Sequence, residues 1–173
     1  IHGNAPYCVS IALRNKHELL LGVVYDPCLD ECFYALKGGG AYLNGQSLQV
    51  SSVRSMEASF VVTELPYNSE QYARTGEYLI RELYGRVAGI RMNGSAAIAL
   101  CYVAAGRFDA WLEAFLGKWD FSAAALIVQE AGGRVTDFYG NAGFIDGHHV
   151  VATNGWLHPF LLELVQKAMP LGM

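Results

Sequence analysis

The sequence predicts a mixed α/β (α+β) fold, and three observations carry that expectation. The first 50 residues hold short alternating apolar runs and a hairpin signal, with no helical period. From Ala58 onward, strand-like runs alternate with helix-length segments. An apolar fraction of 53% against 16% charged residues describes a packed core rather than a disordered chain. At 173 residues there is material for one good core, or for two small lobes sharing an interface.

In the first part, Cys8 to Leu13, Leu19 to Tyr25 and Cys32 to Leu36 read as strands. Asp26-Pro27 ends the second, because proline has no ladder donor and restricts the residue before it. Asp26, Asp30 and Glu31 flank this break and read as turn chemistry rather than a metal cluster. Lys37-Gly38-Gly39-Gly40 lacks the Gly-Lys-Ser/Thr end of a phosphate loop and reads as a turn. Asn44-Gly45, between Ala41–Leu43 and Ser47–Val50, is the strongest short hairpin signal in the chain. Residues 1–55 thus form an antiparallel meander, whose apolar face needs a covering layer.

The second part, residues 56–173, reads as an α/β lobe with a mixed sheet, the boundary falling near Ser51 to Glu57. Phe60 to Thr63 is a buried strand, and Ser69 to Tyr84 an amphipathic helix capped by Ser69 and ended by Gly85. Val87 to Arg91 is a strand, and Ser95 to Ala105 a helix closed by Gly106. Phe108 to Glu113 follows as a strand, then Asp120 to Ala131 as a helix closed by Gly132-Gly133. Strands at Val135 to Phe138 and His149 to Thr153 precede a last helix from Pro159 to Lys167, with proline in its first turn.

Net charge is −4 and no basic run is present, which disfavours nucleic-acid binding through a phosphate-neutralising patch. No apolar stretch approaches the roughly 18–20 residues that cross a bilayer, so no membrane partner is expected. Cys8, Cys28, Cys32 and Cys101 have no zinc spacing and read as small buried thiols in a reducing cytoplasm. His148-His149 have no partner at metal spacing, and no Gly-x-Ser-x-Gly or His-Glu-x-x-His occurs.

Two helix starts attract chemistry. Asp120, after what reads as a buried Trp119, sits where a carboxylate would cap a helix, and the positive end of that helix favours anions. Gly94-Ser95-Ala96 opens the preceding helix, where a glycine lets backbone approach a ligand and free N–H groups can meet a phosphate or hydroxyl. Ser95 can equally be an ordinary N-cap, and Asp120 an ordinary capping acid.

The run Trp119-Asp120-Phe121-Ser122-Ala123-Ala124-Ala125 with Glu130-Ala131-Gly132-Gly133 is supported by four other segments. These are Gly94 to Cys101, Ala104 to Glu113, Val23 to Pro27, and Lys37 to Gly45. In this order and spacing the sequence resembles the inositol monophosphatase family of magnesium-dependent phosphatases, from about Pro6 to about His158. The resemblance implies a layered αβαβα sandwich of the inositol monophosphatase and sugar phosphatase type. It implies Mg²⁺ as cofactor, two or three ions in the intact family site, and direct attack of a metal-activated water on a small phosphorylated polyol, foremost inositol 1-phosphate. Asp120 would be the catalytic metal ligand, Gly94, Ser95 and Ala96 would line the substrate site, and Glu113 would grip hydroxyls. A homodimer is implied as well.

The family's Glu-bearing loop and its Asp-Pro-x-Asp-Gly-Thr signature are absent, and Ile1-His2-Gly3 resembles the stretch just after them. The expectation is therefore a sandwich incomplete at its N-terminus, with impaired activity in the chain as given. Two alternatives stand beside it: a bisphosphate nucleotidase or fructose bisphosphatase of the same fold, and a catalytically degenerate binding or regulatory member.

Overall fold

A computed structural model of the chain describes residues 5–65 and 70–169. The first strands are β1 (Val9–Arg14), β2 (Leu19–Asp26), β3 (Glu31–Leu36), β4 (Ala41–Leu43) and β5 (Gln46–Ser47). They form one antiparallel sheet in sequential order. The expected meander is there, with its last strand shorter than the alternation suggested. Asn44 and Gly45 make its hairpin turn with φ of +48° and +85°, values that asparagine and glycine tolerate best. Asp26 accepts N–H bonds from Cys28 and Leu29, the turn role the sequence indicated.

The strand alternation gives this sheet two unequal faces. Val24, Phe33, Ala35 and Ala41 are buried on the inner one, while Val9, Ile11, Leu13 and Leu36 stay exposed. Among the cysteines only Cys101 is fully buried. Cys28 is exposed, contrary to expectation, because it lies on the turn that Pro27 forces rather than on the inner face.

Beyond residues 48–58 come β6 (Phe60–Thr63), α1 (Glu70–Leu83), β7 (Gly89–Arg91), α2 (Ala96–Ala104) and β8 (Ala110–Ala114). Then follow α3 (Lys118–Glu130), β9 (Arg134–Thr136), β10 (His149–Thr153) and α4 (His158–Ala168). Ser69, the expected cap of α1, lies outside the described residues. The strands make a mixed sheet in the order β7-β6-β8-β10-β9, with β6 parallel to both neighbours and the remaining pairs antiparallel.

Successive residues of its strands point into different cores. Val62, Trp111, Val150 and Ala152 join α2, α3 and the inner face of the first sheet. Val61, Ala110, Leu112 and Val151 join Leu79 and Leu83 of α1 and Leu161 and Val165 of α4. The layers therefore run sheet, α2/α3, sheet, α1/α4, which is the layered α/β architecture that was expected. Helix chemistry follows the layering. α2 and α3 are apolar nearly all round and lie between two sheets, as such helices must. α1 is amphipathic and covers only one face.

The connecting segment is pinned by a buried polar clasp. Asp109 accepts bonds from Ser51 Oγ (2.5 Å) and the Phe60 N–H (2.7 Å). Asn154 Nδ2 donates to Ser51 Oγ (2.9 Å) and the Val53 carbonyl (2.8 Å). No helix among the described residues is long and apolar enough to cross a membrane.

Candidate active site

Strand order places a crevice before any side chain is considered. From β6 the chain passes through α1 to β7 on one side, then through α2 back across β6 to β8 on the other. In open α/β sheets such a switch point leaves a gap outside the carboxyl ends of the strands, where ligands bind. Just past or near those ends stand Glu64, Asn93, Gly94 and Glu113. A cleft of about 590 Å³ opens here, closed on its other side by residues of the first sheet and the start of α3.

All five sequence-predicted residues, Gly94, Ser95, Ala96, Glu113 and Asp120, line this cleft. Asp120 is not the N-cap of α3. Gly117 takes that position, and Asp120 is the third helical residue, its Oδ2 accepting the Gly117 N–H at 2.8 Å. From the first turn the Asp120 carboxylate reaches back to the N-cap N–H, the third-position role in a capping box, so the helix starts before it. Trp119 itself, read as buried, is 78% exposed at the rim, with Leu65 and Phe115 also exposed nearby. Phe115 holds φ at +66°, an uncommon conformation for a bulky residue and one that turns the chain sharply between Glu113 and α3.

Ser95 is the N-cap of α2, yet its hydroxyl makes no capping bond and lies 3.8 Å from Cys8 Sγ. Gly94 before it has φ +75°, the left-handed conformation a glycine supplies without strain. Glu113 is no solvated surface acid. Its Oε2 is buried with no hydrogen-bond partner among the described residues. Burial first, then the neighbouring Glu64 and Asp120, push its carboxyl up to about 8.

Glu64 was not anticipated. Its Oε1 accepts the N–H of Asn93 at 2.5 Å and that of Gly94 at 2.8 Å, and it lines the same cleft. The sequence did carry a signal, an acid directly after the buried strand Phe60–Thr63, but only the strand order shows that this end faces the crevice. His148 and His149 stand outside the cleft. His148 Nδ1 lies 2.8 Å from the Leu116 carbonyl, and His149 packs against Tyr72 and Phe138.

An orphaned carboxylate oxygen on Glu113 beside Asp120 is a donor chemistry that suits a hard cation. Among the described residues no group of three or more His, Cys, Asp or Glu is arranged to hold an ion. These side chains thus fit Mg²⁺ as part of a coordination shell. Among the described residues no lysine or arginine lines the cleft.

The inositol monophosphatase family model matches residues 1–169. The chain is 44% identical over 172 residues to the Nus factor SuhB of Pseudomonas aeruginosa, covering 98% of this chain and 64% of that one. It is 37% identical over 172 residues to an inositol-1-monophosphatase of Rhizobium meliloti, again covering 98% and 64%. The chain thus spans 64% of the length of these relatives. The extragenic suppressor protein suhB of Bartonella henselae superposes with a TM-score of 0.87 at 37% identity, covering 92% of this chain and 62% of that one. Two layered sheets, a crevice at the strand ends and an aspartate in the first turn of α3 thus come with a family match along nearly the whole chain, and the protein belongs to the inositol monophosphatase family.

Proposed function

We propose that the protein takes part in Mg²⁺-dependent hydrolysis of a small phosphate monoester, foremost inositol 1-phosphate. The observation that carries this reading is the charge of the cleft. Glu64, Glu113 and Asp120 line it, and among the described residues no lysine or arginine does. An anionic phosphate enters such a cleft only together with a cation. Asp120 would hold Mg²⁺, which supplies charge neutralisation and an activated water when bound. The N-terminus of α2, with Gly94, Ser95 and Ala96, favours phosphate through its free N–H groups and helix dipole. The unpartnered oxygen of Glu113 accepts a bond from a substrate hydroxyl, which suits a polyol. Attack is direct, without a covalent enzyme intermediate.

The same charge pattern argues against a bisphosphate substrate, whose second phosphate needs a basic partner. A relative carrying the name inositol-1-monophosphatase supports the polyol choice. Cytoplasmic residence and a homodimer go with this reading.

A binding or regulatory role is the second reading. It is favoured by the absence of a three-ligand group among the described residues and by relatives bearing the name Nus factor. Phosphate release from inositol 1-phosphate, with and without Mg²⁺, separates the two when wild type and Asp120→Asn are compared. Mg²⁺-dependent release lost in Asp120→Asn supports hydrolysis. Absence of Mg²⁺-dependent release from any monoester in a panel moves the second reading to first place.

A further inference from the structure

We propose that Glu64 is a positioning residue of this cleft, holding the Asn93–Gly94 loop through its two backbone N–H groups and so setting how tightly a phosphate ester is bound. The proposal rests on the phosphatase reading for its kinetic consequence, though not for the loop contact itself.

Three observations carry it. Glu64 follows β6, the strand at which the connection reverses sides, so its backbone is anchored by parallel neighbours on both edges. A carboxylate anchored there reaches the next crossover and accepts two N–H groups with one oxygen, at 2.5 and 2.8 Å. Charge-assisted bonds of this kind are about twice as strong as neutral ones. Among the described residues the loop has nothing else of comparable strength. Gly94 is in a left-handed conformation with open space where a Cβ would stand, and the Ser95 hydroxyl makes no capping bond.

The Asn93 and Gly94 N–H groups precede α2 and point back to Glu64, while the helix N-terminus that follows points into the cleft. Fixing one fixes the aim of the other. Without Glu64 the loop has to be ordered on binding, and ordering each residue costs about 1–2 kcal/mol of backbone entropy. The contribution is to affinity, because the ordering is complete before the transition state.

The test compares Glu64→Ala, Glu64→Asp and Glu64→Gln in the purified protein with Mg²⁺ and inositol 1-phosphate. Alanine removes the oxygen that accepts both N–H groups, aspartate keeps the charge but withdraws it by one methylene, and glutamine keeps an acceptor oxygen at the same reach. Glu64→Ala should raise KM at least tenfold with kcat within about threefold, Glu64→Asp should do so partly, and Glu64→Gln should restore most of the affinity. Hydrogen exchange at the Asn93 and Gly94 amides should accelerate at least tenfold in Glu64→Ala, while the Leu112 amide keeps its wild-type rate. Unaltered exchange at Asn93 and Gly94 in Glu64→Ala overturns the proposal. Equal loss of kcat and KM effects in Glu64→Gln and Glu64→Ala overturns it too. If wild type shows no turnover, the phosphatase reading fails, and the exchange measurement alone decides on Glu64.

Discussion

Gly22 of β2 lies so close to α3 that a Cβ on it would stand 2.3 Å from the carbonyl oxygen of Ala123. The contact is backbone against backbone, so no side-chain rotation relieves it. It lets the first sheet settle onto the helix that carries Asp120. Gly22→Ala must push the sheet and α3 apart. Overpacking of this kind costs about 1–3 kcal/mol, and the urea midpoint should fall accordingly. An unaltered midpoint would show that the interface yields without cost.

Glu113 gives the metal-free protein a pH signature. Its carboxyl is pushed up to about 8 when folded, mainly by burial, from the ordinary 4.5 of the unfolded chain. Between these values the folded form binds more protons than the unfolded one. Its contribution is therefore full below pH 4.5 and lost as pH rises towards 8, by at most about 1.4 kcal/mol per pH unit. Urea titrations across this window should show the decline, and Glu113→Gln should flatten it.

His158 supplies the opposite slope. Fully buried, its Nε2 lies 3.0 Å from Thr136 Oγ1 and its Nδ1 3.1 Å from Thr153 Oγ1. Burial holds its pKa down to about 4, from an ordinary 6.5. The unfolded chain binds the extra proton, so this stability is present above pH 6.5 and lost as pH falls towards 4. The two slopes oppose each other between pH 4.5 and 6.5. In Glu113→Gln the histidine slope should emerge alone in that range, and in His158→Asn the glutamate slope should.

Asp109 is the centre of the clasp over the connecting segment. Asp109→Ala leaves the Phe60 N–H and Ser51 Oγ without their acceptor, and each stranded part-buried group costs up to about 1–3 kcal/mol. Asp109→Asn keeps one acceptor oxygen and should lose less. Thermal unfolding of the two variants checks the order, and equal losses would mean that packing rather than hydrogen bonding sets the cost.

The elements were legible in the sequence wherever period and punctuation agreed, as at Asn44-Gly45 and in the apolar run Phe121–Val128. The five candidate residues singled out through a motif meet in one cleft. The rest needed three dimensions. Glu64 acquires meaning only from strand order, which no local pattern encodes. Trp119 would be expected to be buried by its apolar character, yet its ring lies exposed over Gly117 at the cleft rim. Asp120 obeyed a capping preference at the wrong position, because helix starts are specified to within a residue or two only.

The walls of the cleft come from distant parts of the chain. Ser10 bonds the Trp119 carbonyl from 109 positions away, and Cys8 meets Ser95 across 87. Contacts of such separation form late in folding, after the loops between them have been closed. The cleft is complete only when these distant segments have met, so ligand binding should appear late in refolding. A bound phosphate ester would then act as a reporter of the completed native state, and would select against every trapped form that stops short of it.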